Sequence, residues 1–362
     1  MAQINWQQAR QRPVNTLSAF VAISWKVSGY TLRRLATCLS PLPQPSLRTA
    51  IGNIVCATLS AWDSDIVLNA PKAAVEKARK ISTPEFTAFD VGEPGPFRDA
   101  DVVIVYLHGG GYCIGHPLQY RTMYKRWLGL ARKQGMKLAI VAVQYPLAPK
   151  HPYPSQLETV LAVYRHLIHT EHVTPEKICF AGDSAGGISP FPFGSVPHET
   201  RRLNRTGNLV AATVLAIRDD EKLPSPGKAV LFSAWLDLTL STIENHECLD
   251  RDVLVIPAYM KAHLVPAFIG KDYSPSDPRI SPVLATDFKN LPAQLVVYGD
   301  LEVMQDEAKT WIQKSTDAGV PTTVYIGKGG LHGFGVGGLL CDSTLRREVD
   351  DTLFRFLKGE KD

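Results

Sequence analysis

The sequence lacks any apolar run long enough to cross a bilayer. Its most apolar N-terminal stretch, Leu17 to Trp25, is interrupted by Lys26, well short of the roughly 20 residues that a spanning helix needs. A run of charge of one sign is missing too. Lys and Arg are spread along the chain and the formal net charge is +4 over 362 residues, so nothing points to a nucleic-acid partner. The six cysteines (Cys38, Cys56, Cys113, Cys179, Cys248 and Cys341) stand far apart, with no C-x-x-C pair and no accompanying histidine spacing. That pattern excludes a zinc site and asks for no disulfide framework. No clear small-residue cleavage site follows Arg10 and Arg12, so a signal peptide is not expected and a reduced, cytoplasmic setting is. The N-terminal stretch reads as an amphipathic helix packed on the protein body, with at most a weak membrane-surface contact. Internal repeats and low-complexity segments are absent.

What is present is an ordinary globular composition, 45% hydrophobic and 20% charged, in a chain long enough for one large decorated domain or two modest ones. Residues 1–70 are helix-biased, with apolar residues at near-helical spacing until Pro41 and Pro43 break the run. From Asp101 the texture changes. Val102–Leu107 is a continuous, largely β-branched apolar run of the kind that suits a strand buried on both faces of a parallel sheet. Similar runs recur at Leu138–Val143, Ile178–Ala181, Ala229–Phe232 and Leu295–Tyr298, with a weaker one at Thr322–Ile326. Helix-like segments such as Tyr120–Gln134 and Pro154–His169 lie between them. This alternation predicts an α/β fold built on an open sheet with right-handed crossovers.

Three motifs follow strands. The run Ile178–Ala181 leads directly into Gly182-Asp183-Ser184-Ala185-Gly186, the G-x-S-x-G pattern of a nucleophile elbow. Such a turn lifts the serine hydroxyl above the sheet and leaves the Ala185 N–H free to bind an oxyanion. His108-Gly109-Gly110-Gly111-Tyr112 also follows a strand; consecutive glycines let backbone amides approach a bound carbonyl oxygen. No G-K-[ST] follows, which excludes a phosphate loop. His108 reads as a structural hydrogen-bonder there. His332-Gly333-Phe334 comes after the last strand, where a histidine can reach the serine as general base. An acid is expected after Leu295–Tyr298, where Asp300, Glu302, Asp306 and Glu307 compete and spacing alone does not separate them.

Together these motifs resemble the hormone-sensitive-lipase-like family of α/β-hydrolases. H-G-G-G-Y at 108–112, Y-P-L-A-P-K-H-P-Y-P at 145–154 and G-D-S-A-G-G at 182–187 carry the resemblance. S-A-W-L-D-L at 233–238, D-P-R-I-S-P at 277–282 and H-G-F at 332–334 extend it. The resemblance implies a mostly parallel eight-stranded sheet over residues 71–362. It also implies a helical cap from residues 1–70 and part of 240–270. An oxyanion hole from the Gly109, Gly110 and Ala185 amides is implied, with no cofactor and no metal. The implied partner is a small-molecule, short-acyl ester, with lactones as an alternative. The family's acid pattern resembles D-P-L-x-D-E, and the matching stretch here is Glu302-Val303-Met304-Gln305-Asp306-Glu307. Glu302 is therefore favoured as the acid, with Asp300 as the alternative.

One departure is large. The family runs from G-D-S-A-G-G straight into N-L-x-A-A, but here that continuation begins at Asn208, after residues 188–207. Pro190, Pro192 and Pro197 stand where a helix should carry the elbow. The segment is either a genuine surface loop or a retained intron or similar gene-model error. The second reading is favoured, because excision restores G-D-S-A-G-G-N-L-V-A-A. A segment truly present would favour a ligand-binding or catalytically impaired protein on the same fold. Trp25, Trp62 and Tyr112 are candidates to line an apolar pocket.

Overall fold

The computed structural model describes residues 13–36, 45–62, 75–76, 78–110, 112–113, 115–184, 207–252, 254–337 and 341–360. Eight strands form one sheet: β1 (Arg79–Ser82), β2 (Thr87–Asp90), β3 (Val102–Leu107), β4 (Leu138–Gln144), β5 (Ile178–Asp183), β6 (Lys228–Phe232), β7 (Ala293–Gly299) and β8 (Thr322–Gly327). Their order is β1-β2-β4-β3-β5-β6-β7-β8. β1 and β2 pair antiparallel at one edge, and β3 to β8 are parallel. The six apolar runs of the sequence are the six parallel strands, each within two residues of its expected bounds.

Both faces of the sheet are covered, which explains why its central strands are apolar throughout rather than alternating. Successive residues of β3 separate by face. Val103, Val105 and Leu107 join one core with helices α4 (Ser155–His169), α5 (Gly207–Asp219) and α6 (Gln305–Asp317). Ile104 and Tyr106 join the other with α3 (Arg121–Lys133) and α7 (Ser343–Lys358). Behind the sheet, Asp350 of α7 accepts from Arg126 Nε (2.7 Å) and from Trp127 Nε1 (2.9 Å) of α3, tying those two helices together.

At the N-terminus, α1 (Pro13–Ala36) packs against α2 (Leu47–Trp62). Leu17, Val21, Trp25 and Leu32 of α1 are exposed, Trp25 by 82%, so Trp25 lines no pocket; the side chain of Trp62 lies outside the described residues. A second helical stretch, residues 257–269, roofs the glycine-rich loop. Its Phe268 stacks on Tyr112 with ring centroids 3.8 Å apart and gives its carbonyl to the Tyr153 N–H (2.8 Å). No helix among the described residues is long and apolar enough to cross a membrane. Cys179, Cys248 and Cys341 are buried thiols outside any disulfide; burial pushes Cys179 up to about 12, as expected of an inert core cysteine.

Candidate active site

The carboxyl ends of the parallel strands carry the motif residues. Ser184 follows β5 with φ +55°, a left-handed conformation forced by the sharp turn, and its N–H is held by Phe232 O at 2.7 Å. Gly182 shows why the turn needs glycine. A Cβ there would sit 2.9 Å from Leu107 O and 2.8 Å from Val210 Cγ2, so α5 could not press against β5. Helix α5 is the N-L-V-A-A segment. It begins at Gly207 and packs on β5 and β6, so it occupies the place of the elbow helix although residues 188–206 separate it from Gly187. Residues 185–206 lie outside the described residues, Ala185 and nearly all of the 188–207 segment among them.

Asp183, one residue before the serine, organises the glycine loop. It is 2% exposed and accepts from Tyr106 Oη (2.7 Å) and Gly109 N (2.9 Å) on Oδ1, and from Tyr120 Oη (2.6 Å) on Oδ2. Burial raises its pKa, and these three donors work against that shift. The Gly109 N–H is thereby committed to Asp183. That bond anchors the loop at Gly109 and sets it apart from Gly110, which is buried with φ +138°. His108 is locked beside it, stacked on Tyr145 at 4.3 Å with Nδ1 close to both Gly109 O (2.9 Å) and Tyr145 Oη (3.1 Å). Burial lowers its pKa to about 3, so it stays neutral and structural. Tyr112 Oη donates to Asn208 Oδ1 (3.0 Å), while Asn208 Nδ2 donates to Ile280 O (2.8 Å). The H-G-G-G-Y loop, α5 and the D-P-R-I-S-P loop are thus joined at one buried asparagine.

His332 comes from the loop after β8. Its Nε2 is hydrogen-bonded to Ser184 Oγ, and it is 1% exposed, with burial lowering its pKa to about 3. The imidazole is therefore neutral and able to accept the serine proton. His332 Nδ1 and both carboxylate oxygens of Glu302 are buried and make no hydrogen bond. The serine–histidine half of a triad is formed, and the histidine–acid half is not closed in this arrangement. Glu302 is fully buried, and its pKa is raised well above the carboxylate range by burial, with Asp252 adding like-charge repulsion. The Ser233 hydroxyl, which accepts from Gly333 N (3.2 Å), is near enough to offset part of that shift without forming a hydrogen bond to Glu302.

Asp300 does a different job. Its Oδ1 accepts from Gly329 N (2.7 Å), and its own N–H donates to Gly327 O (3.1 Å). It stitches the loop after β7 to the loop after β8. Leu301 N donates to Gly330 O (3.1 Å) in the same seam, and a Cβ on Gly299 would lie 2.2 Å from that carbonyl. Two further carboxylates brace the site. Glu307 accepts from the backbone N–H groups of Leu236 and Asp237. Asp252, 0% exposed, accepts from Val303 N on one oxygen (2.9 Å) and from His332 N on the other (3.3 Å). It joins the acid loop to the histidine loop, and burial raises its pKa to about 7. Sequence reasoning passed over Asp252. The residue lies between the strands of β6 and β7 in an irregular stretch with no motif of its own, and only the tertiary fold brings it under His332. Among the described residues no group of His, Cys, Asp and Glu could hold a metal ion.

Comparison with known proteins agrees with this geometry. The alpha/beta hydrolase fold family matches residues 104–188 and 206–336, on either side of the segment that follows the elbow. An esterase of Acinetobacter venetianus is 29% identical over 221 residues, 61% of this chain and 63% of that protein. An acetyl-hydrolase of Streptomyces hygroscopicus is 29% identical over 228 residues, 63% of this chain and 66% of its own length. The chain thus spans just under two thirds of these two relatives. A hormone-sensitive lipase from a metagenome library superposes with a TM-score of 0.64 at 24% identity, covering 78% of this chain and 84% of that one; this last likeness shows the fold. With the strand order, the elbow and the glycine loop in place, the chain belongs to the alpha/beta hydrolase fold family.

Proposed function

We propose that this protein is a carboxylic ester hydrolase acting on small, short-acyl substrates through Ser184. The observation that carries the reading is the hydrogen bond between Ser184 Oγ and His332 Nε2 at the top of a strained elbow. Esterase and acetyl-hydrolase relatives support the reaction class. Ser184 Oγ attacks the ester carbonyl carbon as His332 Nε2 takes its proton, and the carbonyl π electrons move onto oxygen. The Gly110 and Ala185 amides receive that oxyanion. The imidazolium so formed gives its proton to the departing alcohol oxygen, and water, deprotonated by His332, then releases the acid from the acyl-enzyme. Glu302 is the acid in this scheme. As a carboxylate it would hold the His332 ring in the tautomer that leaves Nε2 free and stabilise the imidazolium formed there.

A second reading, a ligand-binding or impaired member of the fold, is favoured by two observations: the unclosed His332–Glu302 pair and the segment inserted after the elbow. We infer that residues 188–207 are foreign to the mature protein, a reading supported by the family match on both sides of them. One experiment separates these readings: p-nitrophenyl acetate hydrolysis by the full chain and by the chain lacking 188–207, each against its Ser184→Ala variant. Activity appearing or rising on deletion supports both the esterase reading and the foreign segment. Hydrolysis that survives Ser184→Ala refutes the mechanism. No hydrolysis by either chain moves the ligand-binding reading ahead.

A further inference from the structure

The outward face of α1 reverses the usual composition of a solvated helix. Leu17, Val21, Trp25 and Leu32 are exposed along it, and at 3.6 residues per turn these four fall within about a quarter of the helix circumference. The remaining exposed positions around them include Ser18, Ser24 and Ser28. Among the described side chains the face therefore holds these four large apolar residues, with Phe20, 41% exposed, at its edge, and serines, and no charge. Helix faces that meet water ordinarily carry the charged residues, and a contiguous apolar strip on a surface marks an interaction site. The helix does not qualify as a membrane span, so insertion across a bilayer does not account for it.

The charge of the segment identifies what it meets. Residues 1–62 contain Arg10, Arg12, Lys26, Arg33, Arg34 and Arg48 and no Asp or Glu; the first acidic residue is Asp63. This segment carries +6 of a chain whose net charge is +4, which leaves the other 300 residues at −2. A second copy of the chain would bring the same uniformly positive segment against this one, and like charge disfavours that pairing. An anionic lipid surface offers the complement to both properties: acyl chains for the apolar arc, and negative headgroups for the cationic segment. We propose that α1 docks on an anionic lipid surface, with the Leu17, Val21, Trp25 and Leu32 arc entering the boundary between headgroups and acyl chains.

The test is cosedimentation of the full chain with vesicles of phosphatidylcholine alone and of phosphatidylcholine with phosphatidylserine. Its readout is binding, independent of whether Ser184 catalyses. Expected are pelleting with the serine-containing vesicles at least about tenfold stronger than with phosphatidylcholine alone, and its loss as salt is raised, because surface attraction is screened. The paired substitution Leu17→Gln and Trp25→Gln is expected to weaken pelleting about tenfold or more by removing buried apolar area. Both side chains are exposed, so the thermal unfolding midpoint of that variant should match the parent. Four results would overturn the proposal: no pelleting with either vesicle, equal pelleting with both, pelleting indifferent to the paired substitution, or a dimer in sedimentation velocity that the substitution dissolves.

Discussion

Replacing Asp252 by Asn should change how stability depends on pH, and the change can be worked out from the site. Full burial pushes the carboxyl up to about 7 in the folded protein, from an ordinary aspartate value of about 3.9. Between those two values the folded chain keeps the proton that the unfolded chain releases, so rising pH favours unfolding. At about 1.4 kcal/mol per pKa unit, a shift of about 3 units removes about 4 kcal/mol of stability between pH 4 and pH 7. Asn does not titrate and escapes that loss. It has one acceptor oxygen for the two N–H groups of Val303 and His332, and leaving one buried donor unpaired costs about 1–3 kcal/mol at any pH. The variant should therefore be less stable than the parent at acid pH and equal or more stable above neutrality. His108 and His332, lowered to about 3, and His116, lowered to about 4, act with the opposite sign, since stability from a histidine kept neutral is lost as pH falls below its unfolded value. They are common to both chains and cancel in the difference. Urea unfolding of both chains at about pH 5 and about pH 8, extrapolated linearly, measures it. Parallel pH dependence in parent and variant would refute the reasoning.

Exchanging the two candidate acids separates chemistry from architecture. Glu302→Gln should lower kcat by about 10²- to 10⁴-fold with little change in folding, whereas Asp300→Asn should cost about 1–2 kcal/mol of stability through its bond to Gly329 N and leave kcat within about tenfold; steady-state kinetics and denaturant titration of the pair decide it. Ala at Gly182 would push a methyl group into Leu107 O and Val210, and a loss of about 1–3 kcal/mol is expected in the same titration. Because burial holds His332 near 3, the acid limb of kcat/KM should stay flat down to about pH 4 before falling, and a pH–rate profile falling with a midpoint near 6.5 would contradict that.

Much of the fold was legible because its central strands are buried on both sides and so leave continuous apolar runs. Edge strands leave weaker traces. β8 was seen only faintly, and Val324 and Ile326 on it are exposed. β1, reading R-K-I-S, is the other edge strand, and its inner neighbour β2, reading T-A-F-D, is equally short; both are partly polar and carry no periodic signal. Ser184 and His332 were readable because each sits in a motif whose glycines the backbone requires. The oxyanion amides were less so, since a sequence of three glycines does not say which N–H an aspartate 74 residues away has taken.

The sequence by itself determined the α/β class, the strand runs, the elbow serine, the histidine that follows the last strand and the abnormal segment after Gly187. These are local properties, written in periodicity, turn chemistry and motif order. Tertiary structure decided the rest: Asp300 as a loop seam, Gly109 as an anchor, Asp252 beneath His332, and the apolar strip of α1 turned outward. Each depends on which donors and surfaces meet across the sheet, and hydrogen-bond partners and burial at that range are properties of the folded arrangement, with no pattern along the chain to announce them.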